Sequence, residues 1–167
     1  MKRKSKFDIP SILISIFLFS IYKILNMTHL YEKITYPIQI ITINLIYSLQ
    51  KLFGTEVIIQ NFNLIYSNGL NIIITPICSG LEQLIFFYFM LSFFVGIDFK
   101  TKLKGFLTFA PIILIANFLR LFMIYPLSKI YGITTAWKVH DFMFIYGQGI
   151  FLLILISVWY FRFSRLK

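Results

Sequence analysis

The sequence predicts a mainly α-helical, polytopic transmembrane bundle forming one domain over residues 1–167, with an extracytoplasmic β-hairpin ahead of its single cysteine. Three observations predict it: a composition too apolar for a water-facing surface, basic residues gathered beside apolar runs, and β-branched runs flanking an Asn-Gly pair. Hydrophobic residues make up 59% of the chain and charged residues 13%, and the mean hydropathy is +0.83. An average soluble domain carries about 25% charged residues, and half that share cannot coat a surface of this size. The length accommodates roughly four to six spans of about 20 residues each, with no separate soluble domain.

The net charge of +10 is of the size a nucleic-acid binder carries, but the placing of the charges argues otherwise. Ten of the sixteen Lys and Arg fall in three clusters: Lys2, Arg3, Lys4 and Lys6; Lys100, Lys102 and Lys104; Arg162, Arg165 and Lys167. Each cluster abuts an apolar run, which is the positive-inside signature of a membrane protein. One cysteine excludes an internal disulfide, and one Cys with two scattered His offers no zinc-type spacing. No metal or cofactor is therefore expected. The N-terminus has the charge-then-apolar order of a signal peptide but no small-residue cleavage site, so it is expected to persist as the first helix.

In chain order, residues 9–25 form the first span, with Pro10 near its start where a missing N–H costs little. Residues 34–53 are apolar, yet Gln39, Thr42, Asn44, Ser48, Gln50 and Lys51 recur through them, so an outer-surface or partly inserted helix is expected. Within 56–76, apolar β-branched runs flank Ser67-Asn68-Gly69, a strong short-range hairpin signal. Residues 81–97 form the second span and 98–104 a short basic loop. Residues 105–125 form the third span, about 31 Å long at 1.5 Å per residue. A more polar connection, 126–141, leads to the last span, 142–161. The basic clusters place the N-terminus, the 98–104 loop and the C-terminus on the cytoplasmic side, so residues 26–80 are expected outside.

Cys78 lies in Pro76-Ile77-Cys78-Ser79-Gly80-Leu81-Glu82, between the hairpin and a helix. Ser79 followed by Glu82 reads as a capping box, with Ser79 as the N-cap. A thiol just ahead of that cap feels the positive end of the helix dipole, which favours the reactive thiolate. A lone cysteine in a membrane protein is also commonly a small inert hydrophobe. Arg120, inside the third span, costs on the order of 3 kcal/mol or more to bury in lipid, so it marks a functional site by default. It falls about 7–8 Å from the outer end of its helix, and Asn117 at i−3 shares its face. The alternative is an Arg that snorkels to the headgroups. His140 precedes the last span, with Gly147 seven residues on to admit a close helix; the plainer reading is an interfacial His beside Trp137. His29 has no comparable context.

Cys78, Arg120 and His140 come from three helices at the same expected depth. Together they make a competent acyl-transfer set: a nucleophile, an oxyanion stabiliser and a general acid/base. The ordered set of Cys78-Ser79-Gly80-Leu81 at a helix start, Asn117-x-x-Arg120 late in a span and His140 before the last span resembles the exosortase/archaeosortase family. The resemblance covers roughly residues 34–155. It implies a Cys–Arg–His catalytic set that removes C-terminal sorting signals, each a short motif, a transmembrane helix and a basic tail, from exported proteins. It further implies transfer of the new carboxyl end to an acceptor, a lipid or surface component. Two rivals differ in kind. A non-enzymatic transporter or assembly subunit would use Arg120, Asn117 and His140 as a polar pathway, and an intramembrane protease would only hydrolyse.

Overall fold

The computed structural model describes residues 9–28, 30–94 and 96–163 of the chain. His29, the N-terminal basic cluster and the terminal residues Arg165 and Lys167 lie outside the described residues. The fold is mainly helical: α1 (Ile9–Met27), α2 (Leu30–Leu52), a three-stranded sheet, then α3 (Leu81–Ser92), α4 (Phe99–Phe122), α5 (Ile124–Tyr131), α6 (Ile133–Phe142) and α7 (Gln148–Phe163).

The helices α1 and α2 meet at 94°. Both faces of α2 mix polar and apolar residues, Ile43 and Ile46 being buried and Lys33 and Ser48 exposed. Thr35, Gln39 and Gln50 face inward while Ile34, Ile41 and Leu45 are exposed. Two of these inward groups are satisfied locally, Gln39 Nε2 donating to Thr35 Oγ1 at 2.9 Å and Thr35 Oγ1 to the Tyr31 carbonyl at 2.9 Å, while Gln50 Nε2 reaches the Phe122 carbonyl at 3.5 Å. The segment 34–53, expected as an outer-surface or partly inserted helix, is thus helical as far as Leu52 and bent against α1.

The expected single hairpin is a three-stranded antiparallel meander: β1 (Val57–Gln60), β2 (Asn63–Tyr66) and β3 (Asn71–Ile73), in that order. The Asn-Gly turn joins β2 to β3. Gly69 has φ +84°, its N–H donates to the Tyr66 carbonyl at 3.0 Å, and Asn68 Oδ1 accepts from the Leu70 N–H at 3.1 Å. The additional turn lies at 61–62, where Asn61 takes φ +57°, a conformation that Asn tolerates better than other side-chain-bearing residues. That turn splits the first apolar run into β1 and β2.

The expected basic loop 98–104 is the opening of α4 instead. Asp98 caps it, its two carboxylate oxygens accepting from the Thr101 N–H at 3.1 Å and the Thr101 hydroxyl at 3.0 Å. Lys102, only 1% exposed, sends Nζ to the Ser92 carbonyl at 2.9 Å and so closes the end of α3. With its end closed there, α3 has 12 residues, about 18 Å of helix against a hydrocarbon core of about 30 Å. Beyond α4 the helix breaks only at Met123 and continues as α5. Arg120 is therefore near a break within a longer rod, not near a free helix end. The supposed connection 126–141 is itself helical, turning at Gly132 with φ +85° and ψ +158°.

Two rods, Phe99–Tyr131 and Ile133–Arg162, are long and apolar enough to cross a membrane among the described residues, and α1 with α2 supply a third if the bent pair is one span. The expected four spans thus resolve into two full rods, a bent pair and the short α3. The first rod has 33 residues, about 50 Å of helix, so it outruns the hydrocarbon.

Two apolar cores follow from this. One, between α3, α4 and α7, is built on Phe87, Leu91, Phe109, Ile113, Leu155 and Trp159. Gly105 admits the Trp159 ring directly, since a Cβ there would lie 1.9 Å from its Nε1. The other core joins the sheet to α2, the end of α4, α5 and α6 through Ile46, Leu64, Ile72, Leu121, Ile124 and Ala136, and includes Cys78.

Candidate active site

The chain leaves β3 through Thr75 into a 3₁₀ turn, Pro76–Ser79, and then into α3. Pro76 fits the first position of that turn, where no N–H is needed. Cys78 sits in it, 9% exposed, with its Sγ 3.4 Å from Thr75 Oγ1 and its N–H bonded to the Thr75 carbonyl at 2.9 Å. The expected capping box does not form. The N-cap of α3 is Gly80, in the left-handed region at φ +79°, with no side chain capping the helix. Ser79 belongs to the 3₁₀ turn, and its Oγ accepts from the Leu81 N–H at 3.3 Å. Glu82 turns toward the Tyr22 hydroxyl of α1. The left-handed residue needed to pass from one helix type to the other displaces the cap by one position. Gly80 serves a second need: a Cβ there would lie 3.0 Å from Leu114 Cδ2 and 3.2 Å from Asn117 Nδ2.

That close approach brings α4 against the cysteine turn. Asn117 Nδ2 donates to the Cys78 carbonyl at 2.7 Å, and Asn117 Oδ1 accepts from Arg120 Nη2 at 3.0 Å. One side chain thus ties the cysteine turn to the guanidinium. Arg120 is also held from the far side. Its Nη1 donates to Gln148 Oε1 at 3.5 Å, and its Cζ stands 4.7 Å from the centre of the Phe144 ring. No carboxylate forms an ion pair with it among the described residues. Arg120 is close enough to Cys78 and to His140 to interact electrostatically with both.

His140, the third residue expected at the site, stands on α6 and makes no hydrogen bond to the thiol. Its Nδ1 lies 3.3 Å from Asp141 Oδ1, its ring meets Trp137 edge-on at 5.5 Å, and its Nε2 is buried without a partner among the described residues. Directly after α6 the helix widens into a π-helical segment, Met143–Gly147. The widening breaks the 3.6-residue register, so Gly147 does not share a face with His140 as a regular helix would require. Nor does Gly147 admit a neighbouring helix, because a Cβ there would meet only Met143 of its own segment at 3.6 Å.

A cavity of about 300 Å³ opens beneath Arg120, with Gln83, Asn117, Gln148, Ile113 and Phe151 among its walls. Gln83 is 3% exposed, and its Oε1 has no partner among the described residues. Neither Cys78 nor His140 lines this cavity, so the guanidinium spans between the thiol turn on one side and the cavity on the other.

Gln148, Phe144, Gln83 and Thr75 were not singled out from the sequence. Gln148 and Gln83 carried the same signal as Arg120, a polar side chain within an apolar run. Phe144 and Thr75 carried none.

A family model described as transmembrane exosortase matches residues 10–160. No curated protein matches the chain, and no solved structure does.

Proposed function

Because the chain belongs to the transmembrane exosortase family, we propose that it is a membrane-embedded cysteine transpeptidase acting on C-terminal sorting signals of exported proteins. Cys78 is the nucleophile, His140 the general acid/base and Arg120 the oxyanion stabiliser. The observation that carries this reading is the Asn117 bridge, whose bonds of 2.7 and 3.0 Å fix the cysteine turn relative to the guanidinium. A tether of this kind makes sense where a charge must develop at one defined place beside the sulfur.

The Sγ attacks the scissile carbonyl, and Arg120 faces the negative charge that forms on its oxygen. His140 takes the thiol proton and returns it to the departing amine as the C–N bond breaks. This leaves a thioester on Cys78 and releases the transmembrane helix with its basic tail. An acceptor hydroxyl or amine, from a lipid or surface component, then gives its proton to His140 as it attacks the thioester. The sulfur leaves as a thiol. The unpartnered Nε2 of His140 is available to carry protons in both steps, and Asp141 on Nδ1 orients the ring.

Sidedness follows the basic clusters. The sheet and the cysteine turn face the exterior of the plasma membrane, with both termini cytoplasmic. The test is a co-expressed exported reporter ending in an apolar helix and an Arg/Lys tail taken from the same genome. Cys78→Ala is expected to leave the reporter uncleaved while the protein accumulates normally. Unchanged cleavage would contradict the proposal. Mass spectrometry of the mature C-terminus then separates transfer, which leaves an added group, from hydrolysis, which leaves a free carboxylate.

A further inference from the structure

The free edge of β3 leads straight to the cysteine, and its main-chain polar groups have a direction that can be worked out. The Ile74 N–H donates to the Phe62 carbonyl at 2.8 Å, and the Tyr66 N–H donates to the Leu70 carbonyl at 2.9 Å. In an antiparallel ladder hydrogen-bonded and non-bonded pairs alternate, so Leu64 and Ile72 form the bonded pair between these two. The pairs Asn63–Ile73 and Ile65–Asn71 are then non-bonded. Asn71 and Ile73 therefore aim their N–H and C=O groups away from β2, along an edge that no fourth strand covers among the described residues. Both side chains are exposed, Ile73 at 55%.

The opposite edge, β1, follows α2 in the chain and packs against it, well before the cysteine. The β3 edge, by contrast, runs through Thr75 and Pro76 into the turn that holds Cys78. A cleft of about 330 Å³ continues it, walled by Thr75, Pro76 and Ile77 on one side and Thr28 and Tyr31 on the other. Thr75 both lines this cleft and touches the thiol. The edge thus leads to a cleft that is one side chain, Thr75, away from the sulfur.

We infer that β3 is a docking strand: the extended segment of the substrate polypeptide beside the scissile bond adds to the sheet as a fourth strand. Main-chain bonds from Asn71 and Ile73 hold it, and alternate side chains enter the cleft beside Thr75. Strand addition suits this task. It fixes the height of the peptide above the thiol through the backbone, whatever the side chains, and it satisfies an edge that otherwise invites aggregation. The inference rests on the reading of Cys78 as nucleophile.

Two experiments test it with the same exported reporter. In the first, Asn71→Cys or Ile73→Cys is placed in a Cys78→Ala background, so that one thiol remains. A single cysteine is walked through the reporter segment preceding its apolar helix, and disulfide cross-links are scored. Strand pairing gives yields that alternate residue by residue, with the maximum moving two positions between the two variants. In the second, Ile73→Pro removes one outward N–H without touching the ladder. Reporter cleavage is expected to fall about tenfold, the worth of a main-chain bond and the misfit of the ring, and Ile73→Thr, which keeps the outward N–H, is expected to lose less than Ile73→Pro.

Absent or non-alternating cross-links would overturn the inference, as would an Ile73→Pro protein that cleaves like the parent. Loss of cleavage in Cys78→Ala alongside either failure would leave the nucleophile standing and remove only the docking strand.

Discussion

Replacing Asn117 by Ala removes both bonds of the bridge, and the cost is set by what each bond joins. The bond to the Cys78 carbonyl, 2.7 Å long, is between neutral groups, worth about 1 kcal/mol. The bond from Arg120, 3.0 Å long, is charge-assisted, worth about 1.5–3 kcal/mol. Arg120 keeps Gln148 and the Phe144 ring, so it stays in place but loses its aim. If the bridge serves the transition state, the two terms together lower cleavage by roughly two to three orders of magnitude. Asn117→Asp separates the arms. It keeps an acceptor for Arg120 but sets a carboxylate oxygen against the Cys78 carbonyl, so its cleavage should be no better than that of Asn117→Ala. The assay is initial-rate cleavage of the reporter in membranes, with thermal unfolding of the purified protein as the check on folding. Cleavage by Asn117→Ala within about threefold of the parent, less than one neutral bond, would refute the reasoning. Full activity in Asn117→Asp would show that the arm to the cysteine turn does nothing.

Arg120→Lys keeps the charge but cannot meet Asn117 and Gln148 at once or stack on Phe144; cleavage should fall about 100-fold with thermal stability nearly unchanged, measured in the same pair of assays. Gly80→Ala strains a left-handed residue by about 1–2 kcal/mol and pushes a methyl toward Asn117, so cleavage should fall by more than the loss of stability accounts for. Gly105→Ala drives a Cβ into Trp159 at 1.9 Å; overpacking here should cost about 1–3 kcal/mol or more, read as a lower unfolding temperature that Trp159→Leu partly restores.

The parts of this fold that were legible in the sequence are those with a local cause. Apolar runs marked the helices, and Asn68-Gly69 marked a hairpin because a positive φ is needed there. Asn117 and Arg120 stood out because amides and guanidinium groups are expensive in lipid. What was missed depends on a partner further along the chain or on backbone shape that composition does not mark. The end of α3 at Ser92 depends on Lys102 reaching back to its carbonyl, and a lysine in a basic run reads as solvated. The turn at 61–62 hides between apolar residues because Asn61, not Gly, takes the positive φ. Met143–Gly147 widens into a π-helix without a composition signal, and that widening moves Gly147 off the face assigned to it. The capping box failed for a local reason that Gly80 itself displayed: a glycine between Ser79 and Leu81 allows a left-handed break, which a regular cap does not need.

The most direct measurement is the mass of the protein after brief reaction with its reporter. The expected species is an adduct carrying the reporter's body without its apolar helix and basic tail. The adduct should be joined at Cys78 through a bond that neutral hydroxylamine cleaves, and it should be missing in Cys78→Ala. Cleavage that proceeds in Cys78→Ala, or an adduct attached at any other residue, would contradict Cys78 as the nucleophile.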